Sequence, residues 1–273
     1  MQILATTDFT EGGNNAVAYA AHLSAVAGGK LYLAHAYKAQ SSAATVFKGL
    51  NEVLENDARE GLEGLKTALL AQFPQLVIEL KLAYGYAADV ITRMSLELQI
   101  DLVVSGSRGK SLLDGLFFGS TSRELSNNIK KPLLLVPPQN QFEKGGVLLF
   151  ATALRDLPDS TQLELIRNFS KWHAADTRLL HIFDDDNQVT AEQEIRFRTL
   201  ITSLHIAQTD HQLQYHEDVI AGILDACEQL KPTALVIQKY HYNFIEKLFI
   251  PSMSRALLQR AKQPLLLLPN YSS

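Results

Sequence analysis

An apolar run bracketed by prolines occurs twice in this chain, and nothing else in the sequence restricts its fold as strongly. Lys131-Pro132-Leu133-Leu134-Leu135-Val136-Pro137 reads against Gln263-Pro264-Leu265-Leu266-Leu267-Leu268-Pro269, an offset of 132 residues. Carried backward without gaps, the same offset sets Arg123 on Arg255, Ser120 on Ser252 and Val104 on Val236. Self-similarity at one long period is the mark of a duplicated structural unit. At 273 residues the chain is long enough for two ordinary domains.

Each half alternates short apolar runs with helix-period segments. The first half reads as strands at 2–7, 30–37, 76–83, 101–105 and 132–137. Between them the spacing predicts helices at 14–27, 50–72, 86–99 and 120–130. Thr10 to Asn15 reads as a turn and cap region, and Gly28-Gly29 stops the first helix. Residues 138–146 are polar with proline and glycine and read as a linker, so domains are expected at 1–138 and 146–273. The second half repeats the pattern, with strands at 146–151, 177–183, 212–217, 234–237 and 264–269. Its helices are expected at 159–174, 190–207, 220–230 and 252–261. Strands joined through helices need crossover connections, so the expected fold class is α/β, with two doubly wound parallel sheets covered by helices on both faces.

Composition narrows the partners. A formal net charge of −4 argues against nonspecific nucleic-acid binding. No apolar run reaches the ~20 residues that span a bilayer. Met1 to Ala5 enters a strand with no basic segment before it, so no signal peptide is expected. Cys227 is the single cysteine, which excludes an intrachain disulfide and suits a reducing cytoplasm.

The chemistry concentrates after the fourth strand. Gly106-Ser107-Arg108-Gly109 is followed by nine residues and then Gly119-Ser120-Thr121, where a helix begins. Glycines let backbone approach a ligand, and a helix start offers free N–H groups and a positive dipole end. Together they suit a phosphate group, with Ser120 and Thr121 adding hydroxyls and Arg108 and Lys110 adding charge. A lone Gly-x-x-Gly usually makes only a turn; the strand before it, the third glycine and Asp8 shift the balance. Asp8 falls at a carboxyl strand end, where open α/β sheets bind ligands, and its carboxylate could accept from ribose hydroxyls or help hold Mg²⁺.

Ile3-Leu4-Ala5-Thr6-Thr7-Asp8, Leu33-Ala34-His35-Ala36 and the spacing G-x2-G-x9-G-(S/T) resemble the universal stress protein family. The motifs are strong in the first half and present only as pattern in the second. The resemblance implies five-stranded sheets ordered 3-2-1-4-5, with the two domains paired through their fifth strands as a built-in counterpart of a homodimer. Further dimerisation of the chain stays open. It also implies ATP as ligand, with or without Mg²⁺. The binding set is then Thr7, Asp8, Ala36, Gly106, Ser107, Arg108, Gly109, Gly119, Ser120 and Thr121.

The 132 offset sets Gly106 on Gln238, Gly109 on His241, Gly119 on Pro251 and Gly85 on Glu217. Laying Leu4-Ala5-Thr6 over Phe150-Ala151-Thr152 puts Asp8 opposite Leu154. Side chains would then intrude where phosphate sits, and Pro251 also lacks a donor N–H. The expectation is a cytoplasmic ATP-binding stress-response regulator whose first domain alone carries the nucleotide, without catalytic or metal residues. Slow hydrolysis or autophosphorylation at Ser120 or Thr121 stays open. The competing readings are a nucleotide α-hydrolase-type enzyme and an interaction module with a vestigial site. His205, His211, His216 and His241 match no zinc spacing. Asp184-Asp185-Asp186 reads as a solvated loop, Cys227 as core packing and His35 as structural. The apolar segments 112–118 and 244–250 read as packing in equivalent places.

Overall fold

Strands and helices alternate within each half of the computed structural model, which describes residues 1–38, 48–107, 119–184, 188–207, 210–239, 257, 260 and 262–269. The chain divides into two units, Met1–Gln141 and Phe142–Ser273. In the first, β1 (Gln2–Thr6), α1 (Glu11–Ala27), β2 (Lys30–Tyr37) and α2 (Lys48–Gln72) lead to β3 (Val77–Tyr84). Then come α3 (Ala87–Glu97), β4 (Leu102–Gly106), α4 (Ser120–Asn128) and β5 (Leu133–Val136). All pairings are parallel, in the order β3-β2-β1-β4-β5. Chain order turns back at β1, with Thr6 paired to Ala34 on one side and to Ser105 on the other.

The central strands are continuous apolar runs because helices cover both faces. Right-handed crossovers put α1 and α2 on one face and α3 and α4 on the other. Ile3, Leu4, Ala5, Leu102, Val103 and Val104 are completely buried. Each buried Leu or Ile contributes about 1.5–3 kcal/mol. β3, at the sheet's outer side, is only partly covered and carries a charge ladder. Glu79 sits 2.5 Å from both Lys30 and Lys81, whose ammonium groups hold its carboxyl at about 2. Inward- or edge-placed charge of this kind discourages pairing with a stray strand.

The segment 10–15 corrects the sequence reading. It is not a turn region: α1 begins at Glu11, and Thr10 is its N-cap, accepting from the Gly13 N–H. Gly12 and Gly13 are buried in the first helical turn. At the other end Gly28 takes φ +62 and closes the helix on the Ser24 and Ala25 carbonyls.

The second unit repeats the plan. It comprises β6 (Val147–Ala151), α5 (Ser160–His173), β7 (Asp176–Phe183), α6 (Ala191–Leu204), β8 (His211–Tyr215), α7 (Val219–Leu230), β9 (Ala234–Gln238) and β10 (Leu265–Leu268). Its parallel order is β8-β7-β6-β9-β10. Asp159 with Gln162, and Thr190 with Gln193, form capping boxes on α5 and α6. α6 ends at Leu204, three residues short of the expected 207, because His205 turns into the left-handed region at φ +54. Of the helix expected at 252–261, only Leu257 and Arg260 fall among the described residues, and both are helical. Cys227 is buried on α7, where burial pushes its thiol up to about 12.

Hydrogen-bond register corrects the alignment of the two halves. Thr7 donates its N–H to Ala34 O and accepts from the Phe9 N–H; Thr152 does the same with Leu180 O and Leu154 N–H. Phe9 and Leu154 both have positive φ, +61 and +55. Thr7 therefore matches Thr152, and Asp8 matches Ala153, not Leu154. The first strands of the two units thus stand 145 residues apart, one fewer than the 146 of the alignment of Leu4 with Phe150.

Candidate functional site

The carboxyl ends of β1 and β4 meet where strand order reverses, the place at which open α/β sheets take ligands. Thr7 and Asp8 leave β1 there. Thr7 is buried, and its hydroxyl donates to Asn14 Oδ1 at 2.9 Å. Asp8 Oδ1 accepts from both the N–H and the hydroxyl of Thr10. One Thr10 side chain thus caps α1 through Gly13 and fixes the Asp8 carboxylate, which leaves Oδ2 outside these bonds.

Gly13 makes this arrangement possible. A Cβ on it would lie 2.7 Å from Asp8 Oδ1 and 2.9 Å from Thr7 Oγ1. Gly106 continues the same packing from the β4 side: its Cβ would lie 2.8 Å from Gly12 O and 3.3 Å from Gly13 N. The reason for glycine at 106 is therefore the close approach of the α1 backbone. The sequence reading assigned it instead to room for a phosphate.

The next contacts reach α4. Ser122 Oγ donates to Gly106 O at 2.6 Å, and both serines beside that carbonyl, Ser105 and Ser107, are buried. The Gly119 N–H donates to Ser107 O at 3.0 Å, joining the start of α4 to the end of β4. Gly119 is the N-cap of α4, with no side-chain cap bond and no acidic residue in the first turn. Ser120 and Thr121 are the first helical residues, partly or fully exposed. Their N–H groups have no intrahelical acceptor, and the dipole there favours an anion.

Thus Thr7, Asp8, Gly106, Ser107, Gly119, Ser120 and Thr121 form one connected rim. Ala36 lies one strand over, in β2, paired with Ala83. Arg108 and Gly109 lie outside the described residues. Sequence reasoning missed Thr10, Gly12, Gly13, Asn14 and Ser122. Two glycines, Gly12 and Gly13, one residue beyond a capping threonine at the start of a helix were the available signal. His35 also frames the site: its Nδ1 is 2.8 Å from Thr7 O, and its ring lies 4.5 Å from that of Phe9. Phe9 in turn presses on Gly61 of α2, where a Cβ would come within 2.7 Å of the ring.

The second unit keeps part of this frame. His181 Nδ1 bonds Thr152 O at 2.8 Å, as His35 does Thr7. The carboxylate is gone, however, and Gln193 and Arg196 of α6 donate to the carbonyls of Ala153 and Leu154 instead. Gln238 replaces Gly106 and is buried. His241 and Pro251 lie outside the described residues. His216 accepts from the Asp218 N–H at the start of α7, and His205 ends α6. Among the described residues no cluster of three potential metal ligands forms.

A family model described as the universal stress protein family matches residues 1–137. The chain belongs to the universal stress protein family. Solved structures extend the likeness over both units. A universal stress protein from Archaeoglobus fulgidus shares 15% identity and a TM-score of 0.67, with 97% of each chain covered. A functionally unknown protein from Pseudomonas aeruginosa PAO1 shares 13% identity at a TM-score of 0.67, covering 98% of this chain and 92% of that one. At such identities the likeness is one of fold. No curated protein matches the chain. No helix among the described residues is long and apolar enough to cross a membrane.

Proposed function

We propose that this family member binds ATP through its first unit, residues 1–138, and acts as a nucleotide-dependent stress-response regulator. The observation that carries the reading is the connected rim from Asp8 through Gly13, Gly106 and Ser122 to an uncapped helix start. Phosphate oxygens would meet the first N–H groups of α4, with Gly109, Ser120 and Thr121 around them and Arg108 supplying charge. Asp8 Oδ2 would accept from ribose hydroxyls or hold Mg²⁺, while backbone at Ala36 would face the base. The donor set fits the group: a carboxylate at one end, unopposed N–H donors at the other, and no acidic side chain in the first turn of α4.

The second unit, 146–273, would not take ATP in this way, because Asp8 has become Ala153 and Gly106 has become Gln238. It would serve instead as the built-in partner, paired through the fifth strands, in a protein of the cytoplasm. Equilibrium titration of the full chain with labelled ATP, with and without Mg²⁺, tests the reading. Asp8→Ala and Gly109→Val should each weaken binding about tenfold or more, as loss of a charged hydrogen bond implies. His241→Ala should leave it unchanged. No binding by the intact chain overturns the proposal. Sedimentation of the same samples reports whether the chain dimerises further.

A further inference from the structure

The outer strands of the two units are not protected alike. β3 carries the Glu79 ladder with Lys30 and Lys81. β8 reads His211-Gln212-Leu213-Gln214-Tyr215, with no lysine, arginine, carboxylate or proline. Those are the residues that blunt a free edge. Gln212 and Leu213 point to opposite faces, as neighbours on a strand must, and both are exposed. Tyr215 is exposed as well. The middle of β8 is therefore open on both faces.

Register decides which backbone groups of β8 face outward. Leu179 donates its N–H to Asp210 O, and the His216 N–H donates to Phe183 O. Every second residue of a parallel strand faces its neighbour, so Asp210, Gln212, Gln214 and His216 turn backbone groups toward β7. His211, Leu213 and Tyr215 turn theirs away. Among the described residues no strand lies beyond β8 to meet them.

We propose that β8 is a dimerisation edge, which pairs antiparallel with β8 of a second copy of this chain about a twofold axis at Leu213. Self-pairing is what the residues fit. Leu213 opposite Leu213, and His211 opposite Tyr215, set outward groups against outward groups, and each of these residues donates once and accepts once. The side chains agree in the same register. Gln212 lies opposite Gln214, and Asp210 lies opposite His216 at both ends. His216 Nδ1 accepts from the Asp218 N–H, so the neutral ring keeps its proton on Nε2 and can donate to a carboxylate. Asp225 Oδ2 lies 3.6 Å from that nitrogen, and Asp210 Oδ1 lies 3.6 Å from Arg178 Nε, both beyond a good hydrogen bond. No like charges oppose each other across the pair. A slip of two residues keeps the backbone parity but sets Asp210 against Gln214 in one direction and against Asp218 in the other.

Sedimentation of the full chain over a concentration series should show a monomer–dimer equilibrium. Leu213→Lys sets two ammonium groups against each other at the axis and should weaken dimerisation about tenfold or more. Leu213 is exposed, so the variant should keep the parent's urea midpoint. Leu213→Glu alone should weaken the dimer similarly, and an equimolar mixture of the two variants should dimerise again. Amide hydrogen exchange reads the register. The amides of His211, Leu213 and Tyr215 should slow about tenfold as protein concentration rises, while those of Gln212 and Gln214, already bonded to β7, keep their rates. A chain that stays monomeric overturns the proposal. So does a dimer that Leu213→Lys leaves intact, a mixture of variants that fails to restore it, or a dimer in which the odd-numbered amides of β8 exchange as in the monomer. None of these outcomes bears on ATP binding by the first unit.

Discussion

Two glycines decide the proposed site at the scale of single residues, for different reasons. Gly106→Ala would drive a Cβ to 2.8 Å from the Gly12 carbonyl oxygen, a backbone atom held by the α1 helix. Neither side can give cheaply, so urea unfolding should show a loss of about 1–3 kcal/mol, the usual range for overpacking. Gly13→Ala meets two side chains first, with the Asp8 backbone nitrogen behind them at 3.1 Å. Alanine is better than glycine in a helix by about 1 kcal/mol, which offsets much of the contact. The strain falls on Asp8 Oδ1 and Thr7 Oγ1, at 2.7 and 2.9 Å. Stability should change little while ATP affinity drops about tenfold, the cost of misplacing one charged hydrogen bond. An unchanged affinity would show that Asp8 does not meet the nucleotide.

At the scale of elements, the start of each helix shows how the two units diverged. Thr10 caps α1 and at the same time holds Asp8, so one side chain serves both fold and site. Asp159 caps α5 in the matching place through a capping box with Gln162, and no functional carboxylate depends on it. Asp159→Ala should cost about 1 kcal/mol in denaturant unfolding. Thr10→Ala should cost a similar amount of stability and weaken ATP as well, which a titration run beside the unfolding curves would separate. A parallel reuse appears at the closing strands. Asn15 of α1 donates to the Pro137 and Asn140 carbonyls, and Gln162 of α5 donates to that of Pro269. An amide on the first helix of each unit satisfies the backbone where proline ends the fifth strand. The prolines were visible as a repeat; their partners sit about 120 and 107 residues away and were not.

At the scale of the whole molecule, the pH response should come mainly from the second unit, since burial lowers the pKa of one histidine of the first, His22, and of two of the second. Burial lowers the pKa of His173 and of His181 below the ordinary 6.5, despite a carbonyl bond to each ring that opposes the shift. The folded state therefore binds fewer protons than the unfolded chain once pH nears 6.5. Stability is full above that value and falls as pH drops below it toward the folded-state values. Urea midpoints for the second unit should decline from about pH 7 to about pH 5, and His181→Gln should flatten part of that decline. The fold itself was legible in advance, because hydrophobic period and proline punctuation are local properties. Ten strands in two alternating sets, the motif with Asp8 and the decay of the glycines in the second half could all be read from the chain. Long-range packing could not. That Gly106 faces a helix backbone, that Thr10 orients Asp8 and that Asp8 matches Ala153 are set by which carboxyl ends the parallel sheet brings together. Sequence order carries the period of each element, whereas close approach between elements exists only after folding.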